Sequence, residues 1–136
     1  MKKYNLEPTL YPIFRILVGL GFLLHGGMKL FGWFSDKGPV QLMSLFGLAG
    51  VIELVAGLFI LLGFFSCIAA FFGAIDMIGA WVVSHTGIMN GALKINPLTN
   101  GGELAMLYLA AFLVIIAKGS GKLSLERAIF GKEFFH

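Results

Sequence analysis

The chain has 136 residues, of which 58% are hydrophobic and only 12% are charged, and its mean hydropathy is +0.91. Soluble domains are about 45–50% apolar and about 25% charged, so this composition excludes a soluble domain and indicates an integral membrane protein. The formal charge of +3 comes from residues that lie mostly at the ends of apolar runs. A nucleic-acid-binding protein would need a basic patch, and the sequence contains none.

The apolar runs predict an all-α fold, an integral membrane four-helix bundle with spans over residues 12–33, 45–64, 67–85 and 103–118. Pro12 is expected in the first turn of the first span, where its missing N–H breaks no hydrogen bond. The stretch GFFSC at residues 63–67 is the turn between the second and third spans, and residues 86–102 form a long loop rich in Gly and Asn. At this length the chain, residues 1–136, is expected to be a single domain.

Two features of the ends of the chain leave alternatives. Lys2 and Lys3 precede an apolar run, as in a cleaved signal peptide, but no A-x-A site follows and Lys29 interrupts the end of the run. After GSG at residues 119–121, the segment KLSLERAIFGKEFF (122–135) predicts a short interfacial helix with Ser124 as its N-cap. The alternative is a frayed terminus.

Basic residues predict the orientation, because Lys and Arg concentrate on the cytoplasmic side of bacterial membrane proteins. The loops expected on the far side contain Lys37 and Lys94, with Lys29 at a helix end. Both termini are therefore predicted to be cytoplasmic, on the basis of Lys2, Lys3, Lys118, Lys122, Arg127 and Lys132.

Ionisable residues interrupt the apolar runs, beginning with LLHGGMKLFG at residues 23–32. At 1.5 Å per residue, His25 and Glu53 lie about 9–12 Å below the outer surface, and a contact between them is expected because successive spans are neighbours. Asp76 lies near the midplane. Arg15 lies about 10 Å from it in depth, so a neutral or water-bridged Asp76 is expected rather than an Asp76–Arg15 pair.

Three interpretations of this polar cluster are open. Ion pairs can simply hold a bundle together, on faces where Gly residues let the helices approach closely. Alternatively, the cluster binds a polar head group or moves protons, because it contains more ionisable residues than packing requires. A metal site is less favoured because no H-x-x-H or E-x-x-H spacing joins the available ligands, His25, Glu53, His85 and Glu103.

Three stretches resemble the DoxX family of four-span bacterial inner-membrane proteins: RILVGLGFLLHGGMKLFG (15–32), GVIELVAGLFILLGF (50–64) and NGGELAMLYLAAFLVIIAKGSGKLSLER (100–127). Positions that match the pattern of the family are Arg15, Gly19, His25, Gly26, Lys29, Glu53, Asn100, Gly101, Glu103 and Ser124. The chain departs from the family twice. Ser66 or Cys67 replaces a basic residue that often follows the second span, and Ser120 replaces the proline of a Gly-Pro-Gly turn.

The resemblance implies a membrane redox role, because relatives include the membrane subunit of an archaeal thiosulfate:quinone oxidoreductase and proteins linked to thiol or oxidative-stress complexes. A quinone head group needs hydrogen-bond donors, a proton route and an apolar slot. His25 and Glu53 are the candidate catalytic residues. Candidate residues around the quinone are Lys29, Glu103, Tyr108, Asp76 and Arg15.

The leading hypothesis is therefore a quinone-linked redox protein or a subunit of a quinone-dependent oxidoreductase in the bacterial inner membrane. Cys67 is the only cysteine, and no haem-attachment, flavin or nucleotide motif occurs. Any redox cofactor is thus expected to be the quinone itself or to belong to a redox partner protein. The alternatives are a non-catalytic membrane scaffold that recruits a redox or stress-response partner and, less favoured, a small transporter. The sequence leaves open whether the chain forms a homo-oligomer.

Overall fold

The computed structural model describes residues 4–135, and this part of the chain is all-α. Its helices are α1 (Glu7–Phe31), α2 (Leu45–Leu62), α3 (Ser66–Ala80), α4 (Pro97–Asn100), α5 (Glu103–Lys118) and α6 (Leu125–Phe130). A π-helical turn, Trp81–His85, prolongs α3, and a 3-10 turn follows at Ile88–Asn90. Within the described part, three helical segments are long and apolar enough to cross a membrane: Glu7–Phe31, Leu45–Leu62 and Ser66–Asn90.

The predicted helix boundaries are close to the observed ones, except at the start of α1. The helix begins at Glu7 rather than at residue 12, so Pro8 lies in its first turn and Pro12 lies inside it. The predicted position of Pro12 is therefore wrong. At this position the proline ring removes one hydrogen bond, the one that an N–H at residue 12 would donate to the Pro8 carbonyl.

The segment after α5 is ordered as predicted around Ser124. The Ser124 side chain caps α6 by accepting a hydrogen bond from the Arg127 N–H at 3.3 Å. The helix itself covers only residues 125–130 of the predicted segment. A frayed terminus is therefore wrong for these residues.

Glycines bring α1 and α2 into direct backbone contact. A Cβ atom added at Gly26 would lie 2.3 Å from the Leu54 nitrogen, and one at Gly19 would lie 2.4 Å from the Leu61 nitrogen. Reciprocally, Gly57 of α2 leaves no room for a side chain against α1. Because small residues permit close packing in lipid, the two helices are held in one register by this face.

The core lies where α3 and α5 meet the α1–α2 pair. It contains Phe22, Ala56, Ile60, Ala69, Ala70, Ala74, Met77, Ala105, Phe112 and Ile115. Large apolar side chains on the outer faces, such as Leu17, Phe71 and Leu107, are exposed. A helix bundle with an apolar core and an apolar surface suits a lipid environment.

The two ends of the bundle differ. An ion pair between Glu7 and Lys118 places the start of α1 and the end of α5 at the same end, which we call the terminal end. Residues 32–44 and 86–102 lie at the opposite end, which we call the loop end.

Candidate functional site

A buried ion pair between α1 and α2 is the centre of the site. The Lys29 Nζ atom donates to Glu53 Oε1 at 2.5 Å, and Glu53 is only 2% exposed. Lys29 follows Gly26 by three residues, so both lie on the face of α1 that contacts α2. The contact with Glu53 expected for His25 is made by Lys29 instead, because His25 is turned about 100° from Gly26 around the helix.

A cavity of about 240 Å³, which we call the histidine cavity, lies beside this pair. It is lined by Phe22, His25, Lys29, Glu53, Met77, Ala80, His85, Gly101, Leu104, Ala105 and Tyr108. The His25 and Tyr108 rings pack edge to face, with 5.9 Å between their centroids. The structure therefore brings four of the predicted site residues together, namely His25, Lys29, Glu53 and Tyr108.

Irregular backbone at the loop end positions two further lining residues of the histidine cavity, His85 and Gly101. His85 ends the π-helical turn, and the Thr86 hydroxyl donates to the Val82 carbonyl at 2.6 Å. The Asn100 side chain accepts from the Gly102 N–H at 2.7 Å and donates to the Lys94 carbonyl at 2.9 Å. Since π-helical turns occur frequently at functional sites, this turn is consistent with a role for His85 in the cavity.

Asp76 lies next to the pair but faces a different cavity. It is 9% exposed, it interacts electrostatically with Glu53 and Lys29, and it shares the wall of another cavity with Lys29. It lines a second cavity of about 220 Å³ between α2 and α3. In the described part of the chain, no ion pair joins Asp76 to Arg15, as the difference in depth led us to expect.

Arg15 is buried, with 1% exposure, at the terminal end of the bundle. Its guanidinium donates to the Ser120 carbonyl and, at 2.6 Å, to the Leu123 carbonyl. The structure therefore separates Arg15 from the predicted quinone contacts and connects it to the segment after α5.

Glu103 is the first residue of α5 and is exposed, and it does not line the histidine cavity, although its neighbours Leu104 and Ala105 do. Among residues 4–135, no three His, Cys, Asp or Glu side chains converge closely enough to hold a metal ion. The metal interpretation therefore gains no support from the geometry.

Residues 10–86 match the DoxX family, and this range includes the Lys29–Glu53 pair and Asp76. The chain belongs to the DoxX family. Its relatives include an uncharacterized protein of Haemophilus influenzae, which is 33% identical over 97% of this chain and 98% of the relative. No solved structure matches the chain.

Two further relatives are named as membrane proteins. Inner membrane protein YphA of Escherichia coli is 32% identical over 89% of this chain and 91% of its own length. An uncharacterized membrane protein of Mycobacterium tuberculosis is 29% identical over 85% of this chain and 78% of its own length. These relatives and the apolar helices identify this DoxX protein as a multi-pass inner-membrane protein, but the names specify no reaction.

A buried polar network at the terminal end was not predicted from the sequence. The Ser120 hydroxyl lies 2.9 Å from both the Ser66 hydroxyl and Glu126 Oε2, and Glu126 Oε1 accepts from the Phe134 N–H at 3.2 Å. Ser120 replaces the proline of the family's Gly-Pro-Gly turn, and Ser66 is one of the two residues, with Cys67, that can stand in place of the family's basic residue. The hydroxyl at position 120 was the available signal, because a buried hydroxyl needs a hydrogen-bond partner.

Proposed function

We propose that this DoxX protein is a quinone-linked redox protein, or the membrane subunit of a quinone-dependent oxidoreductase. The observation that carries the proposal is the unpartnered Glu53 Oε2, which is buried without a hydrogen-bond partner among the described residues. Glu53 also lines the histidine cavity, beside two imidazoles and a phenol. A buried oxygen to which no N–H or O–H group of the described residues donates is open to a hydrogen bond from a ligand in the cavity.

The size and lining of the histidine cavity fit a single aromatic head group. A cavity of about 150 Å³ is known to hold benzene, and the histidine cavity is larger, at about 240 Å³. Phe22, Met77 and Leu104 supply apolar contacts on its walls. Hydrogen-bond donors for quinone oxygens are available from His25, His85 and Tyr108.

The polar residues would bind the head group and manage its protons. A bound quinone supplies the redox chemistry, in which two electrons and two protons convert it to a quinol. Lys29 holds Glu53 in a fixed position through their hydrogen bond, so that the Glu53 carboxyl can accept or donate a proton at the cavity wall. The electrons would come from or pass to a redox partner protein.

The proposal includes an orientation for the bundle. We place α5 across the membrane as a fourth span because it packs along α3, although its 16 residues extend only about 24 Å against a hydrocarbon thickness of about 30 Å. Basic residues described at the terminal end are Lys118, Lys122, Arg127 and Lys132, whereas the loop end has Lys37 and Lys94. This asymmetry favours cytoplasmic termini and an α6 that lies in the inner interface. Lys2 and Lys3, which also support it, lie outside the described residues.

One observation favours the scaffold alternative. The loop over residues 86–102 exposes five large apolar side chains, those of Ile88, Met89, Leu93, Ile95 and Leu98. An exposed apolar patch often marks a surface for a protein partner or for the membrane interface. In this alternative the loop recruits a redox or stress-response protein, and the polar cluster only holds the bundle together.

Quinone binding separates the two functions. The purified protein is extracted for bound quinone and then titrated with a short-chain benzoquinone, alongside Glu53→Gln, His25→Gln and the control Asp36→Asn. Asp36 is an exposed loop carboxylate, so its variant should bind quinone like the wild type. We expect Glu53→Gln and His25→Gln to remain folded but to retain at least tenfold less quinone. Equal retention per folded molecule in all four proteins, or no quinone in any of them, would contradict the proposal.

A further inference from the structure

The buried charges around Glu53 do not balance. One ammonium group, that of Lys29, faces the two carboxyl groups of Glu53 and Asp76, which are 2% and 9% exposed. If all three were ionised, the cluster would have a net charge of −1 inside the bundle, which is costly in an apolar environment. Arg15 does not compensate this charge, because its guanidinium is bound to carbonyl groups at the terminal end.

The position of the two carboxyl groups indicates which groups hold the proton that balances the charge. Both lie beside the single ammonium group of Lys29, which hydrogen-bonds to Glu53 and lines the second cavity with Asp76. An ionised carboxylate has only acceptor oxygens, so the two groups can bond to each other only if one of them carries a proton. Lys29 occupies Glu53 Oε1. Glu53 Oε2 and Asp76 Oδ2 are both buried and have no hydrogen-bond partner from N–H or O–H groups of the described residues.

The two carboxyl groups also face different cavities. Glu53 lines the histidine cavity, whereas Asp76 lines the second cavity, together with Ser84. The second cavity reaches Leu45, the first residue of α2, and therefore extends toward the loop end. Lys29, Asp76 and Ser84 supply the polar groups on its wall, and its other lining residues are apolar or glycine. Asp76 thus has a route to the loop end that does not pass through the histidine cavity.

We propose that Glu53 and Asp76 share one proton and pass it between the histidine cavity and the second cavity. In this step the O–H bond of the Glu53 carboxylic acid breaks as an O–H bond to Asp76 forms. The charge of the pair is unchanged and no electrons move. Lys29 stabilises the Glu53 carboxylate that results. The use of this proton by a quinone rests on the proposed function, whereas the shared proton itself does not.

Other titratable groups face the pair from each neighbouring helix. They are His25 and Lys29 of α1, His85 of the π-helical turn, and Tyr108 of α5, which interacts electrostatically with Glu53. Because four other ionisable groups face the carboxyl pair, a simple pH profile would not isolate the pair. A signal specific to protonated carboxyl groups is required.

Infrared spectroscopy of the purified protein at neutral pH provides that signal, since the C=O stretching band of a protonated carboxyl shifts in D₂O. We expect the band in the wild type and in Asp36→Asn, and its loss in both Asp76→Asn and Glu53→Gln. Each of the latter variants leaves one carboxyl opposite Lys29, so the remaining carboxyl becomes ionised. Absence of the band from the wild type would overturn the proposal. So would a band that persists in both variants and disappears in Glu126→Gln.

The same wild-type sample is assayed for bound quinone, which distinguishes the two proposals. A protonated carboxyl band without any quinone would leave the shared proton intact and contradict the proposed function. Bound quinone without the band would support quinone binding and refute the shared proton.

Discussion

Lys29 has the most direct influence on the site, because its ammonium group is the partner of the buried Glu53 carboxylate. The side chain of Lys29 is 22% exposed and that of Glu53 is 3% exposed. A buried pair of this kind adds little net stability, but removing one partner leaves a buried charge without compensation.

Lys29→Met should therefore lower the free energy of unfolding by about 3 kcal/mol, the lower end of the usual range for such losses, because Glu53 can take up a proton. Replacing both residues, as Lys29→Met with Glu53→Leu, should recover most of this loss. Thermal unfolding in detergent measures both effects, with the exposed Lys37→Met as the control. A double variant less stable than Lys29→Met would contradict the assignment of the pair.

Among the helices, the contact between α1 and α2 determines the geometry of the site. Gly26 packs directly against the backbone of Leu54 on α2. A Cβ atom added at Gly50 would lie 3.0 Å from the Cβ atom of Lys29, so the glycine leaves room for the Lys29 side chain. The spacing of small residues along both helices thus places Lys29 opposite Glu53.

Gly26→Ala tests this contact. Alanine favours a helix over glycine by about 1 kcal/mol, but overpacking costs about 1–3 kcal/mol. The obstacle at Gly26 is the backbone of Leu54, which cannot rotate away, so we expect a net loss of stability and weaker pairing of Lys29. Gly79→Ala in α3 is the matched control, because no atom lies within 4 Å of the added Cβ, and it should be neutral or stabilising. Equal melting temperatures for the two variants would refute the role of close packing.

The segment that contains α6 is held by Arg15, whose donors satisfy two carbonyl groups between α5 and α6. Arg15→Met should destabilise the protein by about 2 kcal/mol, because it leaves these oxygens without donors. Hydrogen exchange should become faster over residues 119–130 and stay unchanged near Glu53. Arg127→Gln removes an ion pair in which the Arg127 side chain is 43% exposed, and it should cost less than about 1 kcal/mol because Glu133 keeps its hydrogen bond from the Gly121 N–H. Unchanged exchange in Arg15→Met would show that the segment is held by other contacts.

For the whole molecule, the distribution of Lys and Arg leads to a prediction about orientation. In a Cys67→Ser background, a cysteine at Asn90 should react with a membrane-impermeant reagent added from outside, whereas a cysteine at Asn5 should not. Reporter domains fused to either terminus should be active only in the cytoplasm. The opposite labelling pattern would place the histidine cavity in the inner half of the membrane and contradict the proposed orientation.

The sequence alone determined the elements of the fold. The apolar runs predicted α2, α3 and α5 to within a few residues, because helix formation over such runs depends on local composition and on turn residues such as Gly63. Composition also identified a membrane protein. The Ser124 cap of α6 could be predicted from the sequence because N-capping involves only neighbouring residues. The start of α1 was misplaced because both Pro8 and Pro12 suit a first turn.

Only the tertiary structure decided which polar groups meet. Both His25 and Lys29 lie at a depth in the bilayer from which they could contact Glu53. Close packing at Gly26 and Gly50 fixes the rotation of α1 about its axis, and this rotation turns Lys29 toward Glu53. The position of Asp76 beside Glu53 depends on how α3 packs against that pair. Helix rotation at a packed interface is a collective result of contacts between helices, so depth and spacing along one helix do not specify it.

The position of Arg15 shows the same limit at the other end of the bundle. Its acceptors, the carbonyl groups of Ser120 and Leu123, are more than 100 residues away in sequence and are backbone atoms that every residue type possesses. The sequence therefore identified a buried cation but contained no signal for its partners. Burial requires that such a cation be satisfied, and only the folded arrangement of α5 and α6 determines which groups satisfy it.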